Sequence, residues 1–251
     1  MTDLHGKVAL ITGSTRGIGK AIALRYASCG AHIAVNHYGD GAAADKTLQE
    51  IRDLGADAIV VDADVSSVSD LDRLFAEALA RFGKVDIVVA NAGVENMGQP
   101  MLEATEEDYD RLFAVNAKGA FFTLQRAGKH VSDNGRIIYI GSTATVAAYP
   151  GVALYGSSKN AARYAVGVLA LELGRRGVTV NTILPTAIQG AGIFTDVAPD
   201  DPFLLENAGT RPIGARMGLP GDVADAAEYL AGDLATWMSG HELYITGGFP
   251  V

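Results

Sequence analysis

Short apolar runs alternate with longer amphipathic segments along the whole chain. The runs predict seven strands, at 8–11, 32–36, 58–62, 85–90, 135–140, 178–184 and 242–245. The segments between them predict helices at 20–29, 45–54, 67–82, 105–130, 152–174 and 221–235. Because the strand runs are apolar at nearly every position, both faces of the sheet are expected to be covered. The pattern therefore predicts an α/β fold, with a doubly wound parallel seven-stranded sheet and helices on both faces.

Segment 186–216 breaks this alternation, since its apolar residues follow neither the helical nor the strand period. Long irregular segments in compact domains are usually functional, so we interpret it as a flap over a pocket. The remaining connections are too regular for an interdomain linker, which predicts one domain spanning 1–251. Because ligands of such sheets bind at the carboxyl ends of the strands, the loops that follow each strand are the places to search for chemistry.

Composition narrows the classes of partner. A formal net charge of −9 argues against a nucleic-acid or anionic-membrane surface. No apolar run approaches the roughly 20 residues of a membrane span, and the first residues lack a signal-peptide pattern. The single cysteine excludes an internal disulfide, and the five histidines show no metal-ligand spacing. We expect a cytoplasmic protein with no nucleic-acid or membrane partner and no bound metal.

A glycine-rich turn joins the first predicted strand to the first predicted helix. Gly13, Gly17 and Gly19 follow the spacing Gly-x-x-x-Gly-x-Gly, which matches neither Gly-x-Gly-x-x-Gly nor a Walker A loop. An ordinary turn is the plain alternative. Its strand–turn–helix setting favours a dinucleotide, because glycines and a helix N-terminus let the backbone approach a pyrophosphate.

The end of the second strand bears on which dinucleotide binds. NAD sites commonly place an acid there to hold the ribose 2′-hydroxyl, whereas this chain has Asn36 and His37. Arg16 in the glycine turn is placed to reach a 2′-phosphate, although Asp40 is an awkward neighbour for that group. These residues favour NADP(H) as cofactor and leave NAD(H) as the alternative.

Tyr155 and Lys159 are four residues apart in a predicted helix, so they share one face. A phenol titrates near pH ~10, so proton transfer at neutral pH needs roughly 4 kcal/mol of help. An ammonium about 4 Å away at an effective dielectric of about 20 supplies that amount. Taken alone, the pair is more often a packed tyrosine beside a solvated lysine. Ser142 lies upstream, where the fifth strand ends.

These motifs occur together and in a fixed order. The set comprises Thr12-Gly-x-x-x-Gly-x-Gly19, Asp64-Val65, Asn91-Ala-Gly93, Asn116, Ser142 with Tyr155-x-x-x-Lys159, Val180-Asn181, Pro185 and residues 240–248. The set resembles the classical short-chain dehydrogenase/reductase family over essentially the whole chain. The resemblance implies a Rossmann-type sheet in a dinucleotide-binding and catalytic domain. It also implies an oxidoreductase that transfers hydride between NADP(H) and a carbonyl or secondary alcohol, similar to carbonyl and ketoacyl reductases.

The resemblance also implies roles for individual residues. Tyr155 would be the general acid or base, Lys159 would lower the pKa of Tyr155 and hold the nicotinamide ribose, and Ser142 would bond the substrate oxygen. Asn116 would support a proton relay through Lys159. The residues expected to contact the cofactor are Gly13, Thr15, Arg16, Gly17, Ile18, Gly19, Asn36, His37, Asp64, Val65, Asn91, Ala92, Gly93, Tyr155, Lys159, Pro185 and Ile188.

Three positions depart from the family pattern. Thr186 replaces a common glycine after the sixth strand, Gly190 replaces a threonine near the nicotinamide, and Thr246 replaces an aspartate after the last strand. They put contacts to the carboxamide in doubt but leave the proton chemistry in place.

The substrate is left open by the sequence. The expected substrate is a small-molecule carbonyl or alcohol, with a 3-oxoacyl-[acyl-carrier-protein] as one alternative. A non-catalytic dinucleotide-binding sensor is the alternative from another class. Candidate pocket walls are Val94, Glu95, Met97, Ala144, Tyr149, Ile188 and Phe194. The resemblance further implies a homotetramer built on the helices around 102–128 and 152–174.

Overall fold

The computed structural model describes residues 2–198 and 200–250, so Met1, Pro199 and Val251 of the predicted domain lie outside the described residues. The described residues form a seven-stranded sheet in the order β3-β2-β1-β4-β5-β6-β7, with every neighbouring pair parallel. The strands are β1 Val8–Ile11, β2 His32–His37, β3 Ala58–Asp62, β4 Ile87–Ala90, β5 Arg136–Ile140, β6 Thr179–Pro185 and β7 Glu242–Ile245. The predicted fold class is confirmed.

Helices cover both faces of this sheet. They are α1 Gly17–Ser28, α2 Gly41–Asp53, α3 Val68–Phe82, α4 Glu106–Leu112, α5 Ala120–His130, α6 Ala153–Leu173, α7 Pro202–Gly209 and α8 Pro220–Ala231. One core joins α1, α2 and α8 to one face of the sheet, and a second core joins α3, α5 and α6 to the other face. This double covering explains why the strands are apolar at almost every position.

The strand order reverses between β1 and β4, because the chain runs outward from β1 to β3 and then returns to the other side of β1. Loops after two adjacent strands diverge at such a point and leave a crevice at their carboxyl ends. The glycine turn and the Asn91-Ala-Gly93 segment flank that crevice. The loops after β5 and β6 extend it toward α6 and the flap.

Several predicted boundaries are corrected. α1 starts at Gly17 and α2 at Gly41, each a few residues before the predicted start. The Asp40 side chain caps α2 by accepting a hydrogen bond from Ala43 N, a signal that the apolar period alone does not contain. The last helix ends at Ala231, where Gly232 is followed by a separate 3₁₀ turn over Asp233–Ala235.

The long helix predicted at 105–130 is interrupted. Thr105 caps its start, as the sequence predicts, but Phe113–Gly119 form a π-helical segment between α4 and α5. Such segments widen a helix locally and often occur at functional sites. This one carries Asn116.

The predicted flap at 186–216 contains more structure than its sequence indicates. It includes α7 and a 3₁₀ turn over Gly192–Phe194, and Ile188 forms a parallel bridge with Gly218. α7 spans only eight residues, too few for a helical period to be distinguished from chance. Among residues 2–198 and 200–250, no helix has the length and apolar character needed to cross a bilayer.

Candidate functional site

A hydrogen-bond network based on Thr12 holds the two sides of the crevice together. The Thr12 hydroxyl accepts hydrogen bonds from Asn91 N and Ala92 N, both at 3.0 Å. In return, Asn91 Nδ2 donates to the carbonyls of Thr12 at 2.9 Å and Gly13 at 3.0 Å. Because these bonds join the ends of β1 and β4, the glycine turn has a defined position relative to the Asn91-Ala-Gly93 segment.

Asn36 is a second support of the glycine turn. Its side chain is 1% exposed, its Oδ1 accepts from Gly13 N at 3.0 Å, and its Nδ2 donates to Ala63 O at 2.9 Å. Asn36 N also donates to the buried Ser14 hydroxyl. The prediction placed Asn36 in contact with the cofactor. Since both ends of its amide bond the protein, the structure makes it a residue that shapes the turn from behind.

The start of α1 has the features of an anion site. Arg16 at the N-cap makes no side-chain cap bond, and the first turn holds no acidic residue. The starts of α2, α3 and α4 are instead capped by the side chains of Asp40, Ser67 and Thr105. Unbonded N–H groups and the helix dipole at the start of α1 therefore fit a pyrophosphate.

Close packing explains the glycine at position 19. A Cβ built on Gly19 would lie 2.3 Å from Gly13 O and 2.5 Å from Asn91 Nδ2. Gly13 and Gly17 have positive φ angles of 62° and 53°, which side-chain-bearing residues rarely adopt. Thr15 is buried behind the turn, and Ile18 packs against the core.

The far end of the crevice combines one cation with two carboxylates. Arg16 is exposed and forms no ion pair with any described residue. His37 is buried, its Nδ1 accepts from Asp40 N at 3.2 Å, and it lies 4.0 Å from Asp62. The Asp40 carboxylate is engaged as the cap of α2.

The segment after β3 is placed beside the π-helical segment. Asp64 Oδ1 accepts from Ser66 N at 2.9 Å, and Asp64 N donates to the Asp70 carboxylate. Val65 is buried against Gly119, where an added Cβ would lie 3.0 Å from Val65 O. These contacts fix the loop at the border of the crevice.

Tyr155 and Lys159 lie on the buried face of α6, with residue exposures of 6% and 4%. Tyr155 packs with Leu112 and Ala144, and the Ser142 hydroxyl is close enough to lower the pKa of its phenol. Lys159 Nζ donates to the carbonyl of Ile140 at 3.2 Å. The structure therefore brings Ser142, Tyr155 and Lys159 together at the carboxyl end of β5.

Burial dominates the electrostatics of this group. It raises the pKa of Tyr155 well above that of a free phenol, the Glu95 carboxylate raises it further, and the Ser142 hydroxyl opposes both. Burial also lowers the pKa of Lys159 to about 8, against the opposing effect of Glu95. From the sequence, only the charge of Lys159 bears on Tyr155, and that charge favours the phenolate. In the folded protein the removal of water from the phenol is the larger effect, and its sign is opposite.

Asn116 is wholly buried and bonded on all sides. Its Oδ1 accepts from Val94 N at 2.9 Å, while its Nδ2 donates to Val94 O at 2.8 Å and to Ser158 Oγ at 3.0 Å. A Cβ built on Gly93 would lie 2.7 Å from Lys159 Nζ and 3.1 Å from Asn116 Oδ1. Glycine at position 93 therefore lets the loop after β4 pass between the lysine and the amide.

Four residues of this region were not predicted as site residues. Thr12 is the first residue of the glycine motif, and Ser158 occupies an unspecified position of Tyr155-x-x-x-Lys159. The hydroxyl groups of these two residues are a signal that the sequence does contain. The Tyr139 hydroxyl donates to Lys159 O at 3.0 Å, and its ring lies 5.7 Å from Lys159 Nζ. The sequence predicts Glu95 only as a pocket wall, and no motif indicates that its carboxylate influences Tyr155.

Residues after β6 divide between the core and the crevice. Pro185 ends β6 opposite Ile245. Ile188, predicted both as a cofactor contact and as a pocket wall, places its side chain in the core beside Ala191, 4% exposed. Its backbone lies at the start of the flap and forms a bridge with Gly218. Val94 and Met97 pack against the cluster formed by Leu112, Ala144 and Tyr155, and their role as pocket walls stays a prediction.

Comparisons with known proteins agree on one group of enzymes. Residues 13–250 match a family model described as enoyl-(acyl carrier protein) reductase. A short-chain dehydrogenase/reductase from Pestalotiopsis microspora is 39% identical, and the alignment covers 98% of this chain and 96% of that protein. Versicolorin reductase 1 from Aspergillus parasiticus is 38% identical, with 99% of each chain covered. A solved structure of the angucycline C-6 ketoreductase LanV with bound NADP is 36% identical, with a TM-score of 0.90, covering 99% of this chain and 97% of that one.

Proposed function

The chain belongs to the classical short-chain dehydrogenase/reductase family, and from that premise we propose that it is an NADP(H)-dependent ketoreductase. It would interconvert a carbonyl and a secondary alcohol on a small molecule. The observation that carries this proposal is the buried group of Ser142, Tyr155 and Lys159 at the carboxyl end of β5. A sensor that only binds a dinucleotide has no need of a buried tyrosine and lysine one helical turn apart.

Tyr155 is proposed as the proton donor in carbonyl reduction. Its phenol is protonated at neutral pH, and burial raises the pKa of Tyr155 further, which favours that form. As the carbonyl oxygen gains negative charge, the phenol gives it a proton and the Ser142 hydroxyl donates a hydrogen bond to the same oxygen. The ammonium of Lys159 then favours the phenolate that remains, which makes proton release easier at the moment of reaction.

Asn116 is proposed to position this group. Its amide ties the π-helical segment to Val94 and to Ser158 on α6. Lys159 Nζ lies next to the same loop at Gly93. The network would hold the lysine at the place where protons enter and leave the pair.

The residues around the crevice fit a nicotinamide dinucleotide. The uncapped start of α1 would hold the pyrophosphate, Asp64 and Val65 would border the adenine, and Asn91 with Gly93 would line the middle. When bound, the nicotinamide supplies or accepts the hydride. Arg16, exposed and without an ion pair among the described residues, would recognise a 2′-phosphate. The LanV structure with NADP supports that preference, and NAD(H) is the alternative.

The substrate is proposed to be a free polycyclic or phenolic ketone. Versicolorin reductase 1 and LanV are both named for reactions of fused-ring compounds. An acidic carrier protein would meet Asp196, Asp200, Asp201 and Glu206 on the flap. Because like charges oppose docking, a carrier-bound thioester is the less suitable substrate.

The test is an initial-rate comparison of NADPH and NADH on a panel of ketones. The panel contains an aliphatic ketone, a bicyclic aromatic ketone, a hydroxylated polycyclic ketone and a 3-oxoacyl thioester. We expect the hydroxylated polycyclic ketone to be reduced fastest and NADPH to be preferred at least tenfold. If neither cofactor is oxidised with any ketone, the enzyme assignment fails. A faster rate with the thioester would move the assignment to a ketoacyl reductase.

We also propose the homotetramer that the family resemblance implies. α6 carries Tyr164, Val168 and Leu171 on its outer face, with exposures of 78%, 41% and 86%. A stripe of exposed apolar residues on one helix suits an interface between copies. Light scattering after size-exclusion chromatography measures the assembly, and a monomeric mass would contradict the proposal.

A further inference from the structure

Arg211, in the loop after α7, is a buried cation with free hydrogen-bond donors. The residue is 5% exposed, and its Nε and Nη1 have no hydrogen-bond partner among the described residues. The Phe249 ring covers one face of the guanidinium, with Cζ 4.1 Å from the ring centroid. The face of an aromatic ring stabilises part of the positive charge but provides no hydrogen-bond acceptor for the N–H donors.

Other poorly exposed arginines of the described chain have partners. Arg126 pairs with Asp72, and Arg163 pairs with Glu242. Arg136 also has an unpartnered Nε, but its Nη1 donates to the carbonyls of Asn134 and Gly135. No described carboxylate forms an ion pair with Arg211. An arginine in this condition is costly to bury unless an anion joins it.

The position of Arg211 connects it to the proposed active site. The Tyr149 phenol is close enough to feel the charges of both Arg211 and Glu95, and Tyr149 in turn influences Tyr155. An added Cβ at Gly247, just after β7, would lie 3.7 Å from Arg211 Cβ. Arg211 therefore lies between the flap helix and the segment after β7, at the same carboxyl edge of the sheet as the loops after β5 and β6.

Charge is distributed unequally across this side of the molecule. Glu95, near Tyr155, has its carboxylate bonded to Ile193 N at 2.9 Å. It acts on Tyr149, Tyr155 and Lys159 but is not among the groups that act on Arg211. A bound molecule would thus have a negative neighbour at Glu95, close to the proton donor, and a positive neighbour at Arg211.

We propose that Arg211 binds a negatively charged oxygen of the ketone substrate, a carboxylate or an ionised phenol, at the end remote from the carbonyl that is reduced. This specificity site rests on the proposed reductase function. The unpartnered Nε and Nη1 of Arg211 would bond the anion, and the buried setting would strengthen those bonds. Glu95 would repel the same group, so the substrate would bind in one orientation.

The kinetic test uses three aromatic keto acids that differ in the distance between ketone and carboxylate, each with its methyl ester. Wild type is expected to have a lower KM for at least one acid than for its ester. Arg211→Met should raise that acid's KM at least tenfold more than the ester's KM, and Arg211→Lys should recover part of the loss. Arg175→Met, which removes an exposed cation elsewhere, is the matched control and should change neither value.

A binding test separates this proposal from the reductase assignment. The probe is 2-naphthoate, an anion without a ketone, titrated calorimetrically into NADPH-loaded protein. Wild type should bind it at least tenfold more tightly than Arg211→Met does, whether or not any ketone is turned over. Equal naphthoate affinities of wild type and Arg211→Met would overturn the proposal. So would an Arg211→Met protein in which KM rises equally for the acid and the ester of all three keto acids. A large drop in Tm for Arg211→Met would show instead that Arg211 supports the fold.

Discussion

The two sides of the crevice are built in different ways. On the glycine-turn side, the side chains of Thr12, Asn36 and Asn91 bond backbone groups at the ends of neighbouring strands. On the flap side, the 3₁₀ turn over Gly192–Phe194 is held to the loop after β4 by the bond between Glu95 and Ile193 N. The glycine-turn side is fixed by side chains that bond several strands, whereas the turn at 192–194 is joined to the loop after β4 through the Glu95 carboxylate.

This difference separates two requirements of the proposed reaction. A cofactor of constant shape suits a prebuilt surface, in which binding orders no further residues. A substrate that must enter and leave suits a segment with few attachments, because such segments open at low free-energy cost. The group of Ser142, Tyr155 and Lys159 lies between the two sides and can act only if both are in place.

The largest effect is expected at the boundary between the sides. Tyr155→Phe removes the proton donor while keeping the packed ring, so kcat for ketone reduction should fall by about 10²- to 10⁴-fold. NADPH affinity, measured by fluorescence titration, should change less than about threefold. Tyr229→Phe, on the exposed face of α8, is the control and should retain full activity. A Tyr155→Phe protein with wild-type turnover would contradict the assigned role.

The next effect tests the rigidity of the glycine-turn side. Gly19→Ala forces a Cβ to within 2.3 Å of Gly13 O, and neither backbone segment is free to move. We expect a loss of about 1 to 3 kcal/mol in the free energy of unfolding and weaker NADPH binding. Gly41→Ala, at the open start of α2 where an added Cβ meets nothing within 4 Å, is the control. Equal behaviour of the two variants would mean that the turn is not tightly held.

A smaller effect is expected on the flap side. Glu95→Ala removes the bond to Ile193 N, so KM for the ketone should rise several-fold with little change in stability. Hydrogen exchange of the amides at 192–194 should become faster. Glu95→Gln keeps an acceptor oxygen and should restore most of the protection. Unchanged exchange in Glu95→Ala would show that the flap has other attachments of equal strength.

The smallest effect is on pH dependence. Because burial lowers the pKa of Lys159 to about 8, the ammonium is lost as the pH rises through that value. If the charged form assists proton donation, kcat/KM for reduction should be constant below pH 7 and fall above about pH 8. Glu95 raises the pKa of Lys159, so Glu95→Gln should move the fall to lower pH. A shift in the opposite direction would exclude Glu95 as an electrostatic neighbour of the lysine.

The sequence predicted the glycine-turn side better than the flap side. Parallel strands, the α1 turn and the Tyr155–Lys159 pair follow from local periods and short motifs, which do not depend on distant residues. The buried role of Asn36 and the partner of Glu95 depend on contacts across 23 and 98 positions of the chain, which no local pattern records. The pKa of Tyr155 likewise depends on burial, which requires the assembled core.

The π-helical segment at Phe113–Gly119 has a consequence for how α4 and α5 are joined. A π turn holds about one residue more than an α turn of the same height. Residues on the two sides of it are therefore out of phase by about 100°, the rotation of one helical residue. Removing a single residue there would let the helix run straight, but it would also rotate α5 against the sheet or withdraw Asn116 from Val94. The extra residue thus acts as a spacer of fixed length, and a one-residue deletion should be tolerated less well there than a conservative substitution.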